Sequence, residues 1–334
     1  MSGGPSNPWW MSRLSADGCV SLEDLSRLIG DLRERGARRV ALQFSEGLKR
    51  KAPEMALKLK EAGFEVIVSG DPCYGACDLP LPALAMADVL VHIGHAPVEE
   101  RPGVIYDLHP MDFPVEVLEK AIPLLSGKRV GLVTTSQHLH LLPRMLELLE
   151  ERGIGAVVAG GSGRVRYPGQ VLGCSFSGAR ETGCSEILYV GTGLFHPEGI
   201  QLATGARVIA LDPYLGTAAP VSAERLKRRR FALVEKARGA ERIGIIVSTK
   251  SGQQRPALAR RLAALSGKAV LVAMCDVCPD ELLNLGFDCY VNTACPRLAY
   301  DDQIRFPVPV LSPQEFEILS GARTWEEYAI DEWE

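Results

Sequence analysis

The feature that most constrains this chain is a phrase that occurs three times. Arg39-Val40-Ala41-Leu42, Arg129-Val130-Gly131-Leu132 and Arg242-Ile243-Gly244-Ile245 each open a short apolar run. A continuous apolar run without polar alternation reads as a strand covered on both faces, the pattern of a parallel sheet. Fourteen residues after each arginine stands a proline (Pro53, Pro143, Pro256), and ten or eleven residues further a glycine (Gly63, Gly153, Gly267). Proline fits the first turn of a helix and glycine the left-handed position that ends one. Between them, Met55, Leu59 and Ala62 in the first copy and Leu258, Leu262 and Leu265 in the third carry the four-and-three spacing of a buried helix face. The middle copy offers Met145, Leu146, Leu148 and Leu149.

After each glycine a second strand is predicted, at residues 64–69, 154–159 and 268–274. Third strands are predicted at 88–93, 186–190 and 288–293, and fourth strands at 104–107, 208–211 and 309–311. Strands joined through helices run parallel, with the helices on the sheet faces. The expected fold class is therefore α/β, with three similar small domains, each a four-stranded, mostly parallel sheet with flanking helices around a central site. Their expected bounds are 1–115, 116–220 and 221–334. The basic stretch Arg225-Leu226-Lys227-Arg228-Arg229-Arg230, just before the third copy, reads as a solvated helix face, with a docking surface for an acidic partner as the alternative.

Composition narrows the function classes. The 334 residues are 46% apolar and 23% charged, with a formal net charge of −4, so the chain is globular and not a general nucleic-acid binder. No apolar run approaches the roughly 18–20 residues that span a bilayer. The stretch from Met1 to Ser15 has neither the basic nor the apolar region of a signal peptide, which points to the cytoplasm; Met11 is an alternative start. Nine cysteines, an odd number with no secretion signal, argue for metal or catalytic use over a disulfide framework.

Ligands of open parallel sheets gather at the carboxyl ends of the strands. Cys73 and Cys77 fall there in the first copy, Cys174 in the second, and Cys275, Cys278 and Cys295 in the third, several of them among Gly and Pro residues that favour exposed turns. One thiolate per copy, meeting on a central axis, would suit an iron–sulfur cluster with one iron left open, or zinc with water as fourth ligand. Repeat position alone does not choose among Cys275, Cys278 and Cys295. Cys275-x-x-Cys278 has knuckle spacing but no second ligand pair follows it. Cys73-x-x-x-Cys77 begins like the radical S-adenosylmethionine (SAM) signature CxxxCxxC, but Pro80 stands where its third cysteine belongs.

Several phrases, in order, resemble the archaeal diphthamide synthase family, the 2-(3-amino-3-carboxypropyl)histidine synthases. They are Gln43-Phe44-Ser45-Glu46-Gly47-Leu48, Tyr74-Gly75-Ala76-Cys77-Asp78, Thr135-Ser136-Gln137-His138, Pro168-Gly169-Gln170-Val171-Leu172-Gly173-Cys174, Gly193-Leu194-Phe195-His196-Pro197, Asp212-Pro213-Tyr214 and Ala294-Cys295-Pro296-Arg297. The resemblance extends from about Arg39 to Leu319. It implies a [4Fe–4S] cluster held by Cys77, Cys174 and Cys295, leaving Cys73, Cys275 and Cys278 as extras. It further implies SAM as cosubstrate, reductive cleavage of its bond from sulfur to the methionine Cγ, and transfer of the 3-amino-3-carboxypropyl group to a histidine of translation elongation factor 2. A homodimer and an external electron donor are implied with it. A quinolinate synthase-like dehydratase, which shares triplicated architecture and a three-cysteine cluster, and a non-catalytic electron-relay subunit are the alternatives.

Further candidates contact the cosubstrate. Thr192 and Gly193 lie in a Gly-Thr-Gly turn where backbone can approach a ligand closely. Gln43 and Gln170 suit adenine or a carboxylate, and Asp212 a ribose. His196 and His95 follow strand ends, where they would position substrate or handle a proton; a hydrogen-bonded structural role is the competing expectation for both.

Overall fold

A computed structural model describes residues 25–333. Trp9, Trp10, the alternative start Met11, Cys19 and the final Glu334 lie outside the described residues. Three sheets are formed. The first contains β1 (Arg39–Phe44), β2 (Glu65–Val68), β3 (Val89–Ile93) and β4 (Val104–Asp107) in the order β2-β1-β3-β4. The second contains β5 (Arg129–Thr134), β6 (Gly155–Val157), β7 (Glu186–Val190), β8 (Arg207–Asp212) and β9 (Thr217–Pro220) in the order β6-β5-β7-β8-β9. The third contains β10 (Ile243–Ser248), β11 (Ala269–Met274), β12 (Cys289–Asn292) and β13 (Val310–Leu311) in the order β11-β10-β12-β13.

The order is the same in all three, second strand, first, third, fourth, so the sequence repeat is also a repeat of topology. All pairs are parallel except β8 with β9. That antiparallel fifth strand was not expected. It ends in Pro220, which lacks an amide donor and is tolerated because β9 is an edge strand.

The repeated arginine has a job in register. Asp88 accepts from the Arg38 and Arg39 amides at 2.9 Å each and pairs with the Arg39 guanidinium at 2.8 Å. Asp288 does the same with the Glu241 and Arg242 amides and with Arg242. In the second copy Glu186 takes this place, accepting from the Ser126 and Gly127 amides and pairing with Arg207. Each carboxylate locks the start of a first strand to the start of the third strand beside it.

The predicted helices occupy Ala52–Glu61, Leu142–Glu151 and Pro256–Ala263. Gly63 and Gly153 adopt left-handed φ values of 98° and 73° and turn the chain into the second strand. The third helix stops short of Gly267, which is not left-handed, so that part of the analogy fails. Met55 and Leu59, Met145 and Leu149, and Ala259 and Leu262 point from these helices into the sheets.

The basic stretch is not a uniformly solvated face. It lies in helix Glu224–Ala237, whose buried face is Leu226, Arg230, Val234 and Ala237. Arg230 faces inward and pairs with the buried Glu315. No described helix is long and apolar enough to cross a membrane.

Candidate metal centre

In each sheet the first strand lies between the second and third, so the chain leaves it to one side and later returns to the other. Crevices form outside the carboxyl ends at such points. Cys77 sits in the turn that follows β2, and Cys295 three residues beyond β12. Cys174 belongs to a long loop after β6 that returns to the end of β5. There the Thr134 amide donates to Gly169 O at 2.8 Å and the Val171 amide to Thr134 O at 2.9 Å.

These three thiols converge. Burial pushes the Cys77 thiol up, Cys174 to about 11 and Cys295 to about 12. For Cys174 the next cause is the charge of Cys77, and for Cys295 the charges of Cys77 and Cys174. All three are free thiols. Among the described residues, the group with all donors within 4.8 Å of one another is a different one, Cys73, His92 and His95. Cys275 is exposed and Cys278 stands just before helix Pro279–Leu285; neither is among the leading influences on the three converging thiols.

The surrounding shell comes from all parts of the chain. Gln253 donates from Nε2 to Cys77 Sγ at 3.4 Å. Lys250 is clamped between Asp78 at 2.5 Å and Asp276 at 2.8 Å, tying the turn of Cys77 to the third sheet. Arg164 places Nη1 4.0 Å from Cys174 Sγ and donates from Nη2 to Gly252 O at 2.7 Å. The Arg297 amide and guanidinium both favour the thiolate of Cys295.

The acidic aromatic tail packs here too. The Trp333 amide donates to Cys174 O at 2.8 Å, and the guanidinium of Arg164 lies 3.6 Å from the centroid of the Trp333 ring. Arg255 pairs with Asp331 at 2.6 Å and donates to Thr293 O and Ala294 O, just before Cys295. Arg164, Lys250, Gln253, Arg255, Asp331 and Trp333 were all missed from sequence. Their partners are distant along the chain, and no local spacing marks them.

The other predicted residues fall in several places. Gln43 is buried, donating to Asp78 O at 2.6 Å and accepting from His92 Nδ1 at 2.6 Å. Gln170 is buried and accepts from the Arg166 and Tyr167 amides. Asp212 is half-buried and accepts from the Tyr214 and Leu215 amides, holding its own turn. Thr192 and Gly193 are exposed, with Gly193 at φ 76°. His196 stacks on Tyr189 with centroids 6.0 Å apart, and burial and then Arg297 lower it to about 4. Phe195 lies under Arg297 and against Gly173, joining the His196 helix to the turns of both Cys174 and Cys295.

Gly252 marks how closely the third sheet approaches Cys77. Its amide donates to Cys77 O at 3.0 Å, and an added Cβ would stand 2.6 Å from Cys77 Cα. Backbone cannot yield as a flexible side chain does. Gly252→Ala is expected to cost about 1–3 kcal/mol and to weaken metal retention after anaerobic reconstitution. At Gly267 an added Cβ meets nothing within 4 Å, so Gly267→Ala should leave both quantities unchanged. Thermal unfolding and metal analysis of the two variants check this.

Fold and site together define a class: a triplicated parallel α/β protein whose three thiols, one from each sheet, meet at the carboxyl ends of the strands. Residues 44–330 match the family described as "Putative diphthamide synthesis protein", and the chain belongs to that family. It is 40% identical over 321 residues, 92% of each chain, to the 2-(3-amino-3-carboxypropyl)histidine synthase of Pyrococcus horikoshii. To subunit 1 of the Schizosaccharomyces pombe enzyme of that name it is 31% identical over 331 residues, 92% of this chain and 76% of that one. Among solved structures it matches Dph2 from Pyrococcus horikoshii with a 4Fe–4S cluster, at a TM-score of 0.86 and 38% identity, over 92% of this chain and 93% of that one.

Proposed function

We propose that this chain transfers the 3-amino-3-carboxypropyl group of SAM to C2 of a histidine imidazole on translation elongation factor 2, the first step towards diphthamide. In this proposal Cys77, Cys174 and Cys295 hold a [4Fe–4S] cluster. The carrying observation is the convergence of three free thiols from the three copies, with Cys77 close enough to bear on Cys174 and both on Cys295. Three thiolates would hold three irons of a cluster and leave the fourth iron open to a substrate. The matching Pyrococcus structure, which carries such a cluster, lends independent support.

When bound, the cluster supplies one electron and an open iron for reductive cleavage of the sulfonium. The remaining work falls to the chain. Arg164 and Arg297 offset the negative charge of three thiolates and the cluster. Gln253 gives Cys77 a hydrogen bond that lowers its electron donation. Trp333, held by Arg164 and Arg255, walls one side of the centre and excludes water. Thr192, Gly193 and His196 are proposed to contact the cosubstrate beside Arg297, with His196 neutral near pH 7. Gln43, Gln170 and Asp212 support the surrounding turns, each through hydrogen bonds to neighbouring backbone.

The proposal extends to a homodimer, an external electron donor, a cytoplasmic setting, and domain bounds at residues 115 and 220. Incubation of reduced, anaerobic protein with elongation factor 2 and SAM labelled in the aminocarboxypropyl group tests the activity. Label on one histidine of the factor, with methylthioadenosine released, is the expected result. An unlabelled factor alongside an intact iron–sulfur signal would overturn the transfer reaction and favour small-molecule dehydration.

A further inference from the structure

Beside Cys77 the chain assembles a second group of metal-type donors that the three-thiol centre does not use. Cys73 Sγ and ring nitrogens of His92 and His95 all lie within 4.8 Å of one another. Cys73 and His92 are fully buried. A buried thiol beside two imidazoles has little to gain from apolar packing, and its hydrogen bond to Gly75 O is long, at 3.8 Å.

The group is built by neighbouring strands. His92 lies on β3, directly beside Gln43 on β1. The chain then reverses at Gly94, where φ is 103° and an added Cβ would stand 2.5 Å from Ser45 Oγ. That turn folds His95 back until its Nδ1 is 3.1 Å from His92 Nε2. Cys73 is fixed from the other side, its amide donating to Glu46 Oε1 at 2.9 Å and its carbonyl accepting from the Glu46 amide at 3.1 Å.

Gln43 decides the tautomer of His92. Its Nε2 donates to the carbonyl of Asp78, so its Oε1 can only accept from His92 Nδ1. His92 therefore carries its proton on Nδ1 and accepts at Nε2 from His95 Nδ1, 3.1 Å away, so that Nε2 has the lone pair to offer an ion. A metal-binding histidine is oriented in this way, with the ring nitrogen not used for the metal donating to a fixed acceptor.

We propose that Cys73, His92 and His95 bind one divalent ion of the zinc class at a site separate from the three-thiol centre. Bonds of about 2.0–2.3 Å at tetrahedral angles place ligand atoms about 3.3–3.8 Å apart, a contraction within reach of donors that already lie within 4.8 Å of one another. Binding releases the thiol proton to solvent and takes the His92 Nε2 lone pair from its hydrogen bond with His95, any proton on the His95 nitrogen facing the ion moving to that ring's other nitrogen; one thiolate with two neutral imidazoles leaves a fourth position for water. Cys73 and Cys77 share one short turn, so an ion on Cys73 ties that turn to the end of β3. The ion acts as a positioning element for Cys77. This inference stands whether or not the transferase reaction does.

The test is made on the anaerobic protein with its iron–sulfur content restored. Titration with cobalt(II) should give one saturable equivalent with a thiolate-to-cobalt charge-transfer band. X-ray absorption at the zinc edge of the zinc-loaded protein should show about one sulfur near 2.3 Å with nitrogen neighbours near 2.0–2.1 Å. Cys73→Ser, nearly isosteric, and His95→Gln should each weaken binding about 100-fold or more, with unfolding curves confirming that both variants fold. A Cys77→Ala, Cys174→Ala, Cys295→Ala triple variant should retain the cobalt site while losing iron. No saturable equivalent in the wild-type protein would overturn the proposal. So would a cobalt band that survives Cys73→Ser but vanishes in the triple variant, since the ion would then be sitting on the other three thiols.

Discussion

Arg230→Ala is expected to cost about 3–5 kcal/mol of folding stability, the amount lost when one partner of a buried ion pair is removed. Arg230 is 1% exposed and Glu315 is fully buried. The guanidinium donates to Glu315 at 2.8 and 2.5 Å, to Ala299 O at 2.5 Å and to Val310 O at 2.8 Å. Truncation takes the counter-charge from a buried carboxylate left with the Ser312 amide and the Tyr328 hydroxyl, and takes the guanidinium donors from two carbonyls. Glu315 also closes a capping box with Ser312, at the start of helix Pro313–Leu319, so its displacement would loosen that helix as well. A typical domain has only about 5–15 kcal/mol in total. Urea unfolding should show the loss as a lower midpoint with little change of slope. The double variant Arg230→Met, Glu315→Leu should recover much of it, because an apolar pair removes the stranded charge. A single variant as stable as the wild type would mean that the pair is hydrated and not buried in solution.

Cys295→Ala is expected to reduce iron and sulfide to background after anaerobic reconstitution and to abolish label transfer to elongation factor 2. Removing one of three thiols leaves two ligands and a buried gap where the third stood. Cys77→Ala and Cys174→Ala should behave alike. Cys278→Ala should retain both iron and activity, because its thiol lies at the start of a separate helix and is not among the leading influences on the three. Iron and sulfide assays on purified variants decide the matter. If Cys278→Ala loses the cluster and Cys295→Ala keeps it, the ligand assignment is wrong.

Most of the fold was legible because its signals are local. Apolar runs, a proline at the helix start and a glycine after its end each report on a few adjacent residues, and they recur at matched offsets in three places. The edge strand β9 was not legible: Thr217-Ala218-Ala219-Pro220 has neither apolar weight nor alternation. Arg230 was misjudged because composition outweighed period. Leu226, Arg230, Val234 and Ala237 share one helix face, and a charge on that face has to find a buried partner.

In the site, the candidate thiols were visible as cysteines in Gly- and Pro-rich turns, but choosing Cys295 over Cys275 or Cys278 took family resemblance. The shell of Arg164, Arg255 and Trp333 depends on contacts far apart in sequence. His92 and His95, by contrast, left a readable trace. Two histidines flank Ile93-Gly94 at the exit of a strand, and His92 sits among apolar residues where a polar ring needs partners.

The donor set of the three-thiol centre is spread over the chain from residue 77 to residue 295, and its outer wall reaches Trp333. No stretch emerging from the ribosome holds more than two of those thiols until the third sheet has been made. On the proposed ligand set, metal loading waits until all three thiols have been made. The centre would then be a record that all three copies have come together, and a partly assembled molecule would announce itself by its inability to keep iron.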